Sequence, residues 1–350
     1  MDIQKLIIRP MEKDEKKAVA KLGRKAFDFF EALFIGTPHK AMVAEYEGKI
    51  IGAIAYKFIS NSKKQVVYMD AAFVDPAYHG MGVGKKLYTE TFYYLQEWGC
   101  DGMTALIKDD NVASWKPAMQ NGFRRVTLAE ATRQLGLSQM IRHYFLTPMC
   151  IAVGMDFYLL CPKAEIAPKK EQPSQLLTFL LGNMLLTIPL WTRLLSKGTT
   201  YALPFIAAYF TILAIFVITR FLGARLSGMN YRFRFNNCGG FLSMALGYLG
   251  NVFPMNANWY PEKYENTDTF RKKLALPELV KWGIFALLPL LGFVENAYLN
   301  ALAQISSFFL VFLIIPIYPF DGYGAGRIFK YKKGLWLITA VISIALLIFV

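Results

Sequence analysis

Histidine is scarce in this chain of 350 residues: there are three, His39, His79 and His143, and none follows residue 143. A histidine-ligated metal centre or a histidine-based triad is therefore excluded from the second half. Cysteine is as sparse. Cys100, Cys150, Cys161 and Cys238 match no metal-binding spacing, and four thiols are too few for a disulfide scaffold of this size. Charge is low at 18%, where a soluble domain carries about 25%. Acidic residues are the scarcer sign, 25 against 39 Lys and Arg, which leaves a formal +14. Hydrophobic residues fill 55% of the chain, which excludes disorder and a wholly soluble protein. The start, Met1-Asp2-Ile3-Gln4-Lys5, lacks the apolar stretch of a signal peptide. The first part is expected to stay in the cytosol with its thiols reduced.

The composition is an average over two unlike halves. Residues 1–163 hold 22 Lys and Arg and 17 Asp and Glu, evenly spread, whereas 164–350 hold 17 and 8, clustered between long apolar runs. The segment 164–173 contains Pro168 and Pro173 among charges and reads as a linker.

In the first half, residues 40–58 alternate and break at Glu47-Gly48-Lys49, a β-hairpin signal. A strand over Val66–Val74 stops at Asp75-Pro76. A helical stretch over 85–98 follows, with Leu87, Phe92 and Leu95 on its apolar face and Tyr94 and Trp98 beside them. Strands are expected near 103–107, 123–127 and 156–160, with a short helix between Ser114 and Asn121. Between the second strand and the first long helix lies His79-Gly80-Met81-Gly82-Val83-Gly84. Strand, glycine-rich turn and helix N-terminus together make an anion cradle, because glycine admits a close backbone approach and several N–H groups point inward. The spacing is wrong for the dinucleotide fingerprint.

The stretch from Ala72 to Leu87 resembles the acetyl-CoA loop of the GCN5-related N-acetyltransferases (GNAT), where a Gln or Arg, two residues, Gly, one residue and Gly or Ala recur. His79 stands at the Gln/Arg position, and Gly82 and Gly84 match. Glu47 to Gly52, Asn111 to Ser114 and Asn121 to Phe123 resemble three further segments in the same order. The resemblance implies an α/β acyl-CoA N-acyltransferase domain over 1–163, with a mixed central sheet and flanking helices. It implies acetyl-CoA as co-substrate and an amine acceptor, a protein or a small molecule. Phe73 and Val74 would hold the pantetheine arm through their backbone, and His79, Gly80, Met81, Gly82, Val83 and Gly84 the pyrophosphate. Asn111 would approach the cofactor. Asp70 is the candidate general base. The position where the family often places a proton-donating tyrosine is Ala118, so Tyr78 or water is the candidate donor. The segment 128–154 is greasier than such a fold needs: it could lie on a membrane surface, cap the acceptor site or add core packing. His143 within it reads as structural.

Apolar runs near 174–192, 201–222, 237–254, 276–294, 299–319 and 334–350 approach the length that spans a hydrocarbon core of roughly 30 Å. The third is rich in glycine and precedes Pro254. Reading it as re-entrant leaves five spans and puts Arg220–Arg234, Arg271–Lys273 and Arg327–Lys333 on the cytosolic side, as the positive-inside rule requires. The expectation is an all-α integral domain over 174–350 in the cell membrane, with five or six spans and a re-entrant segment near 237–254. Leu313 to Gly322 resembles the Asn-x-x-Pro-x-Pro-x-x-Asp-Gly signature of site-2 proteases. Pro316, Asp321 and Gly322 match, and Leu313 and Tyr318 depart. The metal-binding half of that family's pattern is absent: Arg220-Phe221-Leu222-Gly223-Ala224 stands at the corresponding helix end. The resemblance thus implies a protease-like scaffold without metal, with Asp321 paired to a base such as Arg220 or Arg225 or capping a turn. No basic stripe with interleaved aromatics points to nucleic acid; membrane lipid is the expected partner of the boundary cations. The functional expectation is a membrane-anchored N-acetyltransferase with its GNAT domain cytosolic, the alternative being an acyl-CoA sensor coupled to a pseudo-protease scaffold.

Overall fold

The computed structural model describes the chain except residues 28, 62, 109–110, 163–174, 236–238, 251, 266, 318–319 and 350. The expected linker at 164–173 lies outside the described residues, as do Tyr318 and Pro319. The chain forms two compact units, Met1–Cys150 with Met155–Glu171, and Ile151–Gly154 with Gln172–Val350.

The first unit is built on seven strands: β1 (Ile7–Pro10), β2 (Lys40–Tyr46), β3 (Lys49–Phe58), β4 (Val66–Val74), β5 (Gly102–Lys108), β6 (Arg124–Val126) and β7 (Met155–Leu160). Their order across the sheet is β1-β2-β3-β4-β5-β7-β6. Only β4 and β5 are parallel; the other neighbours are antiparallel. The β2–β3 turn forms because Glu47 and Gly48 both take positive φ, 50° and 74°, the twist that suits a two-residue hairpin. Helix α1 (Lys16–Ala26) covers one face, packing Val19 and Leu22 on Val43, Ala53 and Phe73. After the short α2 (Phe29–Ala32), helix α3 (Val83–Glu97) covers the other face. Its buried side chains, Val83, Leu87, Tyr88, Phe92 and Leu95, recur at helical spacing and meet Ile54, Val67 and Met103. Helices α4 (Val112–Gln120), α5 (Leu128–Leu135) and α6 (Leu137–Leu146) complete the unit.

The second unit contains α7 (Gln175–Leu186), α8 (Ile188–Leu195), α9 (Thr199–Leu226), β8 (Tyr231–Phe235), α10 (Gly239–Tyr248), β9 (Ala257–Pro261), α11 (Asp268–Leu287), α12 (Ala297–Leu313), α13 (Ala325–Tyr331) and α14 (Lys333–Phe349). Among the described residues, two helical segments are long and apolar enough to cross a membrane, Thr199–Leu226 and Asp268–Phe293. The α7–α8 pair, bent by 51°, makes a third if it is one span. By length and composition these account for two or three of the five or six spans expected. The runs at 299–319 and 334–350 yield helices of 17 residues, each rising about 26 Å, a little short of the hydrocarbon thickness. The all-α expectation needs a correction: β8 and β9 form a two-stranded antiparallel sheet. Phe235 pairs with Ala257, so the chain between them, α10 included, begins and ends at one place.

One carboxylate ties three helices of this unit together. Glu278 on α11 meets Arg220 of α9 at 2.5 Å, Lys281 at 2.7 Å and Arg327 of α13 at 3.2 Å. The side chains of Glu278, Arg220 and Lys281 are fully buried. Arg220 also donates to the Gly322 carbonyl at 3.3 Å, next to Asp321, and Lys281 donates to the Tyr323 carbonyl. Gly223, one turn beyond Arg220, permits this approach, since a Cβ there would lie 2.3 Å from Pro277 Cα. A buried ion cluster broken at one partner leaves uncompensated charge. Glu278→Gln is therefore expected to destabilise the second unit by about 3–5 kcal/mol, read as a fall in its thermal midpoint in detergent, whereas Glu262→Gln, whose partner Arg232 is exposed, leaves that midpoint within a degree or so.

Candidate functional site

The site follows from where β4 and β5 part company. Their pairing is confined to Val66–Met69 against Gly102–Ala105. Beyond it β5 continues to Lys108 against β7, while β4 continues to Val74 against β3. Residues 70–74 of β4 thus present a backbone edge with no strand across from it among the described residues. The divergence coincides with a bulge. Ala55 pairs with Ala71 and Tyr56 with Met69, so Asp70 is the extra residue on β4. Bulges bend a strand and re-aim side chains next to sites. Below the bulge Val67 and Met69 face the α3 core; above it Phe73 turns to the α1 core and Val74 to the α3 side. Both neighbours are anchored by side chains, which leaves the backbone of Phe73 and Val74 as the surface on offer.

Two helices begin at the carboxyl ends of the two parallel strands, the crevice in which α/β sheets bind ligands. Asp75 ends β4 by accepting from Ala77 N (3.1 Å) and pairing with Lys25 (2.8 Å), and the lysine holds its carboxyl below the usual range. Gly80 and Gly82 have φ of +77° and +84°, which only glycine adopts without strain. Gly82 is the N-cap of α3, and no side chain caps that terminus. The first N–H groups of a 15-residue helix therefore point, with its positive dipole end, into the loop. Gly84 lies inside α3. Across the crevice Asn111 caps α4, accepting from Ser114 N at 3.2 Å.

The expected site residues fall into two groups. Phe73, Val74 and the loop from His79 to Gly84 surround the open edge together with Asp70, and Asn111 stands at the end of β5. His79 is engaged: its Nε2 lies 3.0 Å from the Val74 carbonyl, fastening the loop to the strand end. Asp70 is ion-paired with Lys57 of β3 at 2.7 Å. Tyr78 packs edge-on against Tyr46 at 6.3 Å. Ala118 is 1% exposed, inside the α3 core, so no side chain there reaches the crevice. Sequence reasoning missed Lys57, which lies across from the bulge and carries no local signal.

Residues 128–154 pack and also expose apolar surface. Helix α6 buries Gln139, Met140 and His143 and leaves Leu137, Ile141 and Phe145 out, the last 78% exposed. His143 sits between Thr104 Oγ1 (2.8 Å) and Thr147 Oγ1 (3.0 Å), flanked by Tyr68 and Phe157. Burial pushes its pKa down to about 4, so it is a neutral structural bridge. The unfolded ring titrates near 6.5. Between about 6.5 and about 4 the unfolded chain binds the additional proton, so this residue's contribution to stability is present above pH 6.5 and lost as pH falls through that window. The loss amounts to about 3 kcal/mol. Hydrogen exchange of β5 amides is expected to show this acid loss in the wild type and a flatter profile in His143→Gln.

Residues 5–123 match the Acetyltransferase (GNAT) family model, which supports a GNAT acetyltransferase domain in that part of the chain. No curated protein matches. Among solved structures, the chain is similar to the ribosomal-protein-S18-alanine N-acetyltransferase of Escherichia coli, at 19% identity over 35% of this chain and 79% of that one, TM-score 0.30. A GNAT family acetyltransferase of Brucella melitensis in complex with acetyl-CoA is 17% identical over 47% and 93%, TM-score 0.30. A putative acetyltransferase of Salmonella typhimurium with acetyl-CoA is 18% identical over 47% and 97%, TM-score 0.33.

Proposed function

We propose that the chain is a membrane-anchored, acetyl-CoA-dependent N-acetyltransferase that acts on an amine at the cytosolic face of the cell membrane. The observation that carries this reading is an open β4 edge leading to an uncapped helix N-terminus beneath two positive-φ glycines, within the residues that match the family. The cradle fits a pyrophosphate, and an amide-bearing arm can add to the edge as a further strand would. In this reading Phe73 and Val74 offer backbone groups to the pantetheine arm, and His79, Gly80, Met81, Gly82, Val83 and Gly84 receive the pyrophosphate. Asn111 closes the crevice from the β5 side.

Transfer forms a C–N bond at the thioester carbonyl and breaks its C–S bond; one proton leaves the ammonium before attack, a second leaves the nitrogen as the amide forms, and one reaches the thiolate. Asp70, re-aimed by the bulge and held by Lys57, takes the first proton directly or through water. Tyr78 supplies the thiolate's proton, since Ala118 cannot, and regains one from the second proton that the nitrogen releases. The second unit is the anchor, with five spans (the α7–α8 pair, α9, α11, α12 and α14) and α10 as the re-entrant element. It is a protease-like scaffold without proteolysis: three cations around Glu278 would repel a divalent metal ion.

One observation favours the sensor reading instead. The Val74 carbonyl already accepts from the His79 ring, so the arm would meet an occupied acceptor at the strand end. Calorimetry with acetyl-CoA and turnover on a panel of amines separate the two. The transferase requires binding and transfer; binding without turnover on any amine supports the sensor, and no binding defeats both. Gly82→Glu is expected to weaken acetyl-CoA binding by about 10-fold or more, because it adds a like charge to the cradle and a side chain at φ +84°. Asp70→Asn is expected to lower kcat by about 100-fold and to leave acetyl-CoA affinity within about twofold.

A further inference from the structure

The second unit contains a cavity of about 260 Å³ at the end of α9 remote from Arg220. Most of its accessible wall is polar, while Leu190, Phe205, Ile305 and Phe308 contribute an apolar part. Arg193 and Lys197 also line it, and no carboxylate does. Neither cation forms an ion pair among the described residues, and Lys197 lies 5.5 Å from the Tyr201 ring. Gly250, with φ +86°, lets the loop after α10 come within reach of Arg193: a Cβ there would stand 3.4 Å from Nη1. Tyr201 and Arg220 are 19 residues apart on one helix, about 28 Å, close to one hydrocarbon thickness. The cavity therefore stands at one boundary of the apolar layer and the Glu278 cluster near the other. Around its rim Leu249 is 75% and Tyr201 50% exposed, an apolar collar beside two cations.

We infer that this cavity is a specific site for an anionic phospholipid, with the phosphate between Arg193 and Lys197 and the start of an acyl chain against Phe205 and Phe308. Boundary cations attract any anionic headgroup; a cavity joined to them selects one molecule and fixes its orientation. The volume is below the roughly 300–1,000 Å³ of pockets that enclose whole ligands, so it holds the head and first methylenes while the chains lie along the protein's outer surface. The inference rests on the membrane reading of the second unit and is independent of the transferase reading.

The test uses the full chain in detergent, titrated with dioleoyl phosphatidylglycerol, dioleoyl phosphatidylcholine or inorganic phosphate, with bound copies counted by native mass spectrometry. One saturable, tightly held phosphatidylglycerol is expected. Arg193→Gln with Lys197→Gln should weaken it by about 10-fold or more. Gln304→Trp, which obstructs the lining at an exposed position and keeps both cations, should weaken it as well, and Lys272→Gln with Lys273→Gln should not. Each variant's lipid-free thermal midpoint should equal that of the wild type. Equal retention of phosphatidylcholine, saturation of the same site by phosphate alone, or unchanged affinity in the Arg193 and Lys197 variant would overturn the inference. None of these readouts depends on acetyl-CoA, so failure of the transferase reading leaves the result interpretable.

Discussion

Everything proposed for the first unit depends on β4 leaving β5 after four paired residues while remaining paired with β3 to its end. An interior strand normally satisfies both edges, and each backbone hydrogen bond left unmade forfeits about 1 kcal/mol. A sheet that opens in its middle has given up several. The surroundings enforce the opening rather than merely tolerate it. The bulge at Asp70 bends β4, β7 holds β5 on its other side to Lys108, and Phe73 and Val74 are gripped by opposite cores. Local departures from regular structure that several elements jointly impose are where function is expected. The same divergence places the starts of α3 and α4 on either side of the gap, so the backbone edge and the anion cradle are consequences of one event.

The polar groups at the gap are tethered to one another. Lys57 holds Asp70, Lys25 holds Asp75, and the His79 ring holds the Val74 carbonyl. The backbone edge of residues 70–74 is open except at the Val74 carbonyl, whereas the Asp70 carboxylate is already engaged by Lys57.

Much of this was legible in the sequence where local rules suffice. Glu47-Gly48 announced the hairpin, Asp75-Pro76 the end of β4, and Gly80 and Gly82 the positive-φ turn into α3. The bulge was not legible, because register belongs to a pair of strands and nothing in Val66–Val74 says which residue is extra. Lys57 was hidden for the same reason. In the second unit, Tyr231-Arg232-Phe233-Arg234-Phe235 carries the alternation of a strand, but its arginines also fit a membrane boundary, and that reading masked the period. Its partner, Ala257–Pro261, offered no compensating signal. The 51° bend between α7 and α8 was not legible either, because hydropathy ignores where backbone geometry breaks.

The Glu278 cluster shows how a unit so poor in acid accommodates cations away from water. A carboxylate and three cations in a low-dielectric interior are costly unless the contacts are short and the remaining donors find acceptors. Gly322 and Tyr323 supply carbonyls from the turn beside Asp321, and the Phe216 ring lies 4.8 Å from the Lys281 ammonium, while Arg220 Nε and Nη1 have no hydrogen-bond partner among the described residues. The short contact from α9 to α11 is possible only because Gly223 lets the helices touch at Pro277, the residue before Glu278. Close packing and charge pairing are thus specified at the same crossing. A larger residue at position 223 would separate the helices, and Arg220 would then be a buried cation without its carboxylate.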